Sequence, residues 1–223
     1  MSCVCCGAEI KEILELVWQC PICSHIFRDV DCHQEFYETG EYRKTHPIQD
    51  RSVRMRWIQN LVSFGLDDSQ SFLEVGAGDG VFCEFLIQLG KKAVACELDP
   101  FIVKNYHPRV QTVVGNFLSV EAPQVDMVCA FDVVEHFKDP APFFEKAAKL
   151  APRLFIQVPT QRRIISPKEF KDTHYHYFNE QSIKLLVEKH GFNITKMFQS
   201  GFQFTANGPE LLVCMERRQQ TTD

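Results

Sequence analysis

Phe72-Leu73-Glu74-Val75-Gly76-Ala77-Gly78-Asp79-Gly80 is the stretch on which the reading of this chain turns. An apolar strand carrying an acid runs at once into three glycines at alternate positions. Glycine takes positive φ cheaply and lets a ligand approach without meeting a Cβ, and a following helix offers unpaired N–H groups and a positive dipole end. Such a strand, turn and helix make a seat for a nucleotide-like ligand. In the dinucleotide fingerprint the third glycine stands three residues after the second, beside a pyrophosphate. Here Val81 holds that place and the third glycine comes one residue earlier. Glu74, two residues before the first glycine, disfavours an anionic diphosphate and favours a cationic or zwitterionic ligand.

Outward from this motif the pattern alternates as a doubly wound α/β sheet requires. Strands are predicted over 72–76, 93–98, 110–114, 125–131 and 154–158, with helices over 80–89, 100–106, 141–150 and 180–190. Two further strands, 193–199 and 210–216, are separated by Gly201 and Asn207-Gly208-Pro209, turn material that predicts an antiparallel C-terminal hairpin at the sheet edge. That makes seven strands, with the ligand expected at the carboxyl ends of the early ones.

The residues at those ends carry the chemistry. The second strand closes in Cys96-Glu97-Leu98-Asp99, where a carboxylate can accept ribose hydroxyls; Glu97 is the first choice and Asp99 the second, although Asp99-Pro100 is also a good helix start. Gly115-Asn116-Phe117 follows the third strand, and the fourth runs into Phe131-Asp132-Val133-Val134-Glu135-His136-Phe137-Lys138-Asp139-Pro140. Past the fifth come Val158-Pro159-Thr160, then His174-Tyr175-His176-Tyr177-Phe178-Asn179, then a helix ended by Gly191-Phe192.

From Ser71 to Arg217 these ordered motifs resemble the class I S-adenosylmethionine-dependent methyltransferases, in particular a Glu-His-containing subgroup acting on small molecules and glycans. The resemblance implies a Rossmann-like methyltransferase sheet and a cofactor site at Glu74, Gly76, Ala77, Gly78, Gly80, Glu97, Leu98, Asn116, Phe117, Phe131 and Asp132. In it Asn116 meets the adenine amino group, Phe117 stacks on the ring, and the Phe131-Asp132 segment borders the methionine part. Methyl transfer to oxygen or carbon also needs a base near neutral pH, for which histidine is the natural candidate. His136 ranks first, His176 second and His174 third, and each also suits a turn or cap. Glu135 either orients His136 or pairs with Lys138.

The ten cysteines divide into two groups. Cys83, Cys96, Cys129 and Cys214 sit in apolar surroundings as small hydrophobes. Cys3-x-x-Cys6 and Cys20-Pro-Ile-Cys23 form two CxxC pairs near zinc-ribbon spacing, predicting a structural zinc on Cys3, Cys6, Cys20 and Cys23. Cys5, Cys32, His25 and His33 leave variant ligand sets open. The expected organisation is a zinc-ribbon-like module over 1–33, a linker and covering helix over 34–70, and the methyltransferase domain over 71–223. In the linker Tyr37, Tyr42, Arg43 and His46 could form a lid on the acceptor site, and apolar positions from Val53 to Phe64 predict an amphipathic helix.

Composition narrows the partners. No apolar run reaches the roughly 18 residues that span a bilayer, and the first ten residues lack the charges and apolar core of a signal peptide, so a cytoplasmic location is expected. A net charge of −5 argues against a broad nucleic-acid surface, with Arg51, Arg54 and Arg56 as the local exception. The favoured acceptor is a hydroxyl or carbon of a small molecule, sugar or glycan. RNA or protein methylation guided by the zinc module, and a non-catalytic protein that only binds S-adenosylmethionine, are the alternatives.

Overall fold

The computed structural model describes residues 1–29, 39, 58, 68–160, 173–199 and 210–218. Cys32, His33, the lid residues Tyr37, Tyr42, Arg43 and His46, the arginines at 51, 54 and 56, and all of the covering helix except Ile58 lie outside these residues. Ile58 is helical and fully buried.

A seven-stranded sheet forms the centre. Its strands are β4 (Ser71–Val75), β5 (Lys92–Glu97), β6 (Gln111–Val114), β7 (Met127–Phe131), β8 (Arg153–Pro159), β10 (Phe192–Gln199) and β11 (Glu210–Arg217), in the spatial order β10-β11-β8-β7-β4-β5-β6. The five strands from β4 to β8 are parallel to one another. Parallel strands are covered on both faces, which is why β7 reads as the unbroken run Met127-Val128-Cys129-Ala130-Phe131 and is buried throughout. The C-terminal pair is antiparallel and lies at one edge of the sheet as expected, with the return strand on its inner side. Strand β11 lies between β8 and β10, from Glu210 opposite Pro159 to Glu216 opposite Arg153, and β10 is the outer strand. Burial follows that placement: β11 is buried from Glu210 to Met215, whereas β10 alternates.

Helix α1 (Val81–Gln88) follows β4 and buries Val81, Phe82, Cys83, Leu86 and Ile87, one stripe of the helix. The Phe82 ring meets Phe131 at 4.9 Å in an edge-to-face contact that ties the first helix to β7. Helix α2 (Ala141–Leu150) buries Phe143, Phe144 and Ala147. Helix α3 (Glu180–Lys189) starts with a reciprocal cap in which Asn179 accepts from the Ser182 amide and the Ser182 hydroxyl accepts from the Asn179 amide. Among the described residues no helix is long and apolar enough to cross a membrane.

A smaller sheet has the order β1-β2-β3-β9, with β1 (Lys11–Leu14), β2 (Val17–Gln19) and β3 (Ile26–Arg28) from the N-terminal region. Its fourth strand, β9 (His176–Tyr177), comes from between β8 and α3: Ile26 faces Tyr177 and Phe27 faces His176. The apolar core is continuous across this seam, since Cys3, Ile10, Cys23 and Phe27 belong to one cluster with Val158, Phe178 and Val187.

Candidate active site

Because β4 to β8 run in parallel, the segments that leave their carboxyl ends gather along one edge. Strand β4 is followed by a crossover to one side and β7 lies on its other flank, so the crevice between their ends is the topological switch point where ligands bind in such sheets. The glycine turn sits there. Gly76, Gly78 and Gly80 have φ of 68°, 58° and 73°, values that only glycine adopts without strain. At Gly76 a Cβ would also stand 2.6 Å from Val133 Cγ2, on the turn after β7. Ala77 is fully buried, and Glu74 lies under the turn, accepting the Cys83 S–H at 3.1 Å. Burial and that carboxylate push the Cys83 thiol well above its ordinary range.

Glu97 closes the turn from the neighbouring strand. Oε2 accepts the Gly78 amide at 2.7 Å, and Oε1 accepts the Leu98 and Asp99 amides at 2.8 and 3.0 Å. Asp99 accepts the Phe101 amide at 2.8 Å and so caps the following turn. After β6, the Asn116 Oδ1 accepts the Leu118 amide at 2.9 Å. The Phe117 ring is 4 % exposed and packs on Phe143 at 5.5 Å with the Lys146 ammonium 5.0 Å from its centre. Lys146 holds this loop in place by donating to the carbonyls of Phe117 and Val120.

The turn after β7 carries the second half of the site. Asp132 sits in the left-handed region at φ 54°, a strained conformation that Asp tolerates better than most, steadied by Gln157 at 3.3 Å. One helical turn, Val134–His136, then presents Glu135 and His136. The Glu135 carboxylate is fully buried, with His136 Nε2 at 4.0 Å and His174 Nε2 at 3.9 Å from Oε1. His136 Nδ1 lies 2.7 Å from the Thr173 carbonyl, which can only accept, so Nδ1 carries the hydrogen and Nε2 the lone pair. The side chains of His136 and His174 are 24 % and 4 % exposed, and their rings meet edge to face at 4.7 Å. The ligand atoms of all three residues lie within 4.8 Å of one another, a spacing that also suits a cation.

His176, the second-ranked base, is elsewhere. It is fully buried in β9, with Nδ1 3.1 Å from His25 Nε2 and Nε2 2.9 Å from the Phe137 carbonyl. Burial, with His25 alongside, lowers its pKa to about 3. A ring enclosed in this way has no route to a substrate proton and cannot stably hold one.

In the N-terminal sheet the two CxxC turns face each other. Each is closed by a residue of positive φ, Gly7 at 77° and Ser24 at 56°, whose amide returns to the carbonyl of the first cysteine. The sulfurs of Cys3 and Cys23 are 3.6 Å apart and those of Cys6 and Cys20 are 3.4 Å apart, and all four lie within 4.8 Å of one another. Four thiolates about 2.3 Å from a tetrahedral zinc stand about 3.8 Å apart, so the cluster has the size of that site. Cys5 is buried beside it; contacts with Cys23 and Cys3, together with burial, push its thiol far above the ordinary range. His25 Nδ1 approaches Cys3 at 3.6 Å from outside the four-sulfur group.

Comparison with known proteins agrees with this geometry. A family model described as a methyltransferase domain matches residues 49–197, two thirds of the chain. The chain belongs to this methyltransferase family. The ubiquinone biosynthesis O-methyltransferase of Pseudoalteromonas translucida is 28% identical over 122 residues, 50% of this chain and 50% of that protein. A probable ribosomal RNA small subunit methyltransferase A of Methanosarcina acetivorans is 35% identical over 74 residues, 30% of this chain and 28% of that protein. The chain thus spans half or less of the length of these curated relatives. Among solved structures, the magnesium protoporphyrin IX methyltransferase of Synechocystis PCC 6803 with bound SAH superimposes with a TM-score of 0.63 at 15% identity, covering 82% of this chain and 97% of that one.

One residue of the methyltransferase cradle escaped the sequence reading. Tyr106 follows the short helical turn Ile102–Asn105, and its hydroxyl donates to the Gly78 carbonyl at 2.7 Å while its ring faces Gly80, where a Cβ would stand 2.8 Å from Cδ1. Gly78 is thus held at its N–H by Glu97 and at its C=O by Tyr106. No local pattern marks a tyrosine for this role, although the missing Cβ of Gly80 hints at a bulky neighbour. Tyr106→Phe keeps the ring and removes one hydrogen bond, about 1 kcal/mol. Isothermal titration should therefore show S-adenosylmethionine binding weakened about fivefold; an unchanged affinity would deny Tyr106 a part in shaping the turn.

Proposed function

We propose that this protein transfers the methyl group of S-adenosylmethionine to a hydroxyl of a small molecule, sugar or glycan, with His136 as general base and a structural zinc on Cys3, Cys6, Cys20 and Cys23. The observation that carries this reading is the Glu135–His136 turn at the end of β7, one strand from the glycine turn. Glu74, Gly76, Ala77, Gly78, Gly80, Glu97, Leu98, Asn116, Phe117, Phe131 and Asp132 are the residues proposed to hold the cofactor, which supplies an electrophilic methyl on a sulfonium. The chain's part is alignment and proton transfer. With the cofactor bound, its sulfonium would supply the electrophilic methyl and leave as the thioether, while His136 Nε2 would take the proton of an acceptor hydroxyl held in line with that methyl. Positioning alone supplies much of the acceleration in such a displacement. His136 suits the proton transfer better than its neighbours, being the most exposed of the three histidines and set in one tautomer by Thr173. The buried Glu135 carboxylate stabilises the imidazolium that forms.

The acidic balance and the longer alignment with the ubiquinone O-methyltransferase favour a small acceptor. The likeness to a ribosomal RNA methyltransferase supports a second reading, an RNA acceptor. The two separate on salt, since RNA binding through phosphates weakens steeply with ionic strength and small-molecule binding does not. Incubating a cell extract with the protein and labelled cofactor, then searching by mass spectrometry for the labelled product, identifies the acceptor. With that acceptor, His136→Ala should lower turnover about 10²- to 10⁴-fold while cofactor affinity stays within about twofold. Full turnover in this variant removes His136 as the base.

A further inference from the structure

Two buried histidines join the cysteine cluster to the turn that bears His136. His25 directly follows the second CxxC turn, and its Nδ1 lies 3.6 Å from Cys3 Sγ. Its Nε2 lies 3.1 Å from His176 Nδ1 across the β3–β9 seam. His176 Nε2 then reaches the carbonyls of Phe137 and Lys138 at 2.9 and 3.2 Å. Carbonyls only accept, so His176 donates from Nε2, accepts at Nδ1, and must receive its hydrogen from His25 Nε2. The direction of the bridge is therefore set by the turn at its far end. Both residues are almost wholly buried, their rings lie 5.1 Å apart, and both stack near Phe178. A buried polar pair is costly unless it is satisfied: losing His176 takes the partner from His25 Nε2 and the donor from the two carbonyls, and losing His25 takes the donor from His176 Nδ1.

Other ties run in parallel. The Tyr175 amide donates to the Glu135 carbonyl at 2.9 Å, the Arg28 amide donates to the Tyr175 carbonyl at 2.8 Å, and Lys138 pairs with Asp29 at 2.6 Å. Asn179, the cap of α3, also donates to the Cys23 carbonyl at 2.9 Å. The turn between β7 and α2 is thus held at several points by the N-terminal sheet as well as by its own sheet.

We propose that His25 and His176 are positioning residues that anchor the Val134–Phe137 turn to the cysteine cluster, so that the N-terminal sheet sets where His136 stands. This rests on the methyltransferase reading for its purpose, but the anchoring can be tested without an acceptor. Hydrogen exchange read by mass spectrometry on the full chain compares the wild type with His176→Phe, His25→Phe and His176→Gln, and titration with S-adenosylmethionine runs beside it. Expected for each phenylalanine variant is exchange at 134–138 and 173–178 that is faster by about tenfold, the loss of one or two hydrogen bonds. Peptides from 71–97 and 127–131 should stay protected and cofactor affinity should stay within about twofold. His176→Gln, which can still donate to the Phe137 carbonyl, should recover part of the protection. Unchanged exchange at 134–138 in both phenylalanine variants overturns the anchoring. So does loss of protection throughout the large sheet, which would make the pair a support of the whole fold. If the wild type itself binds no S-adenosylmethionine, the methyltransferase reading falls while the exchange data still decide the anchor.

Discussion

Cys20→Ser combined with Cys23→Ser is expected to abolish metal binding and unfold the N-terminal sheet. Plasma mass spectrometry should find about one zinc per wild-type chain and none in the variant. The three N-terminal strands are only three or four residues long and β1 is mostly exposed, so a bound zinc would add order that so small a sheet lacks. Apparent zinc affinities of about 10–16 kcal/mol in small metal modules exceed the stability of such a sheet by a wide margin. The expected signature is loss of amide protection over 2–28 together with a lower melting temperature for the whole chain, because β9 and the seam residues lose their partner. A metal-free wild type with a fully protected N-terminal sheet would refute the zinc assignment.

Glu97→Ala is expected to weaken S-adenosylmethionine binding at least 100-fold by calorimetry. Three amides lose their acceptor, among them that of Gly78, and hydrogen bonds to a charged group contribute about 1.5–3 kcal/mol each against about 1.4 kcal/mol per tenfold in affinity. The loss falls on the shape of the glycine turn as well as on ribose recognition. Asp99→Ala separates the two carboxylates: among the described residues the Asp99 side chain caps the Phe101 amide, so its effect on affinity should be well under tenfold. Near-native binding in Glu97→Ala would show that the site lies elsewhere.

Much of this architecture was legible from local patterns. The apolar run at 127–131 and the stretch 72–75, apolar but for Glu74, belong to strands covered on both faces, and Gly90 and Gly191 stand just past helices that end where expected. The glycine spacing distinguished this cradle from a dinucleotide site because each glycine answers to its own φ. The placement of β11 inside the sheet was less visible, though its run from Leu211 to Met215 carries the continuous burial of an interior strand. Phe117 shows what a motif position leaves out. Nothing adjacent in the chain indicates that Phe143 and Lys146, on a helix two elements later, take up its ring.

By itself the sequence determined the strand, glycine turn and helix, with acids at neighbouring strand ends, since backbone conformation and hydrophobic period are properties of neighbouring residues. It also brought out the two CxxC turns, whose geometry is equally local. Only the tertiary structure decided which histidine meets which partner. His25 and His176 are 151 positions apart and His136 and Thr173 are 37 apart. A side chain's tautomer, burial and access depend on groups that the chain brings beside it only after β9 has paired with β3. Three histidines of similar local setting therefore part company there, one to a buried bridge, one against a carboxylate, and one to the mouth of the candidate site.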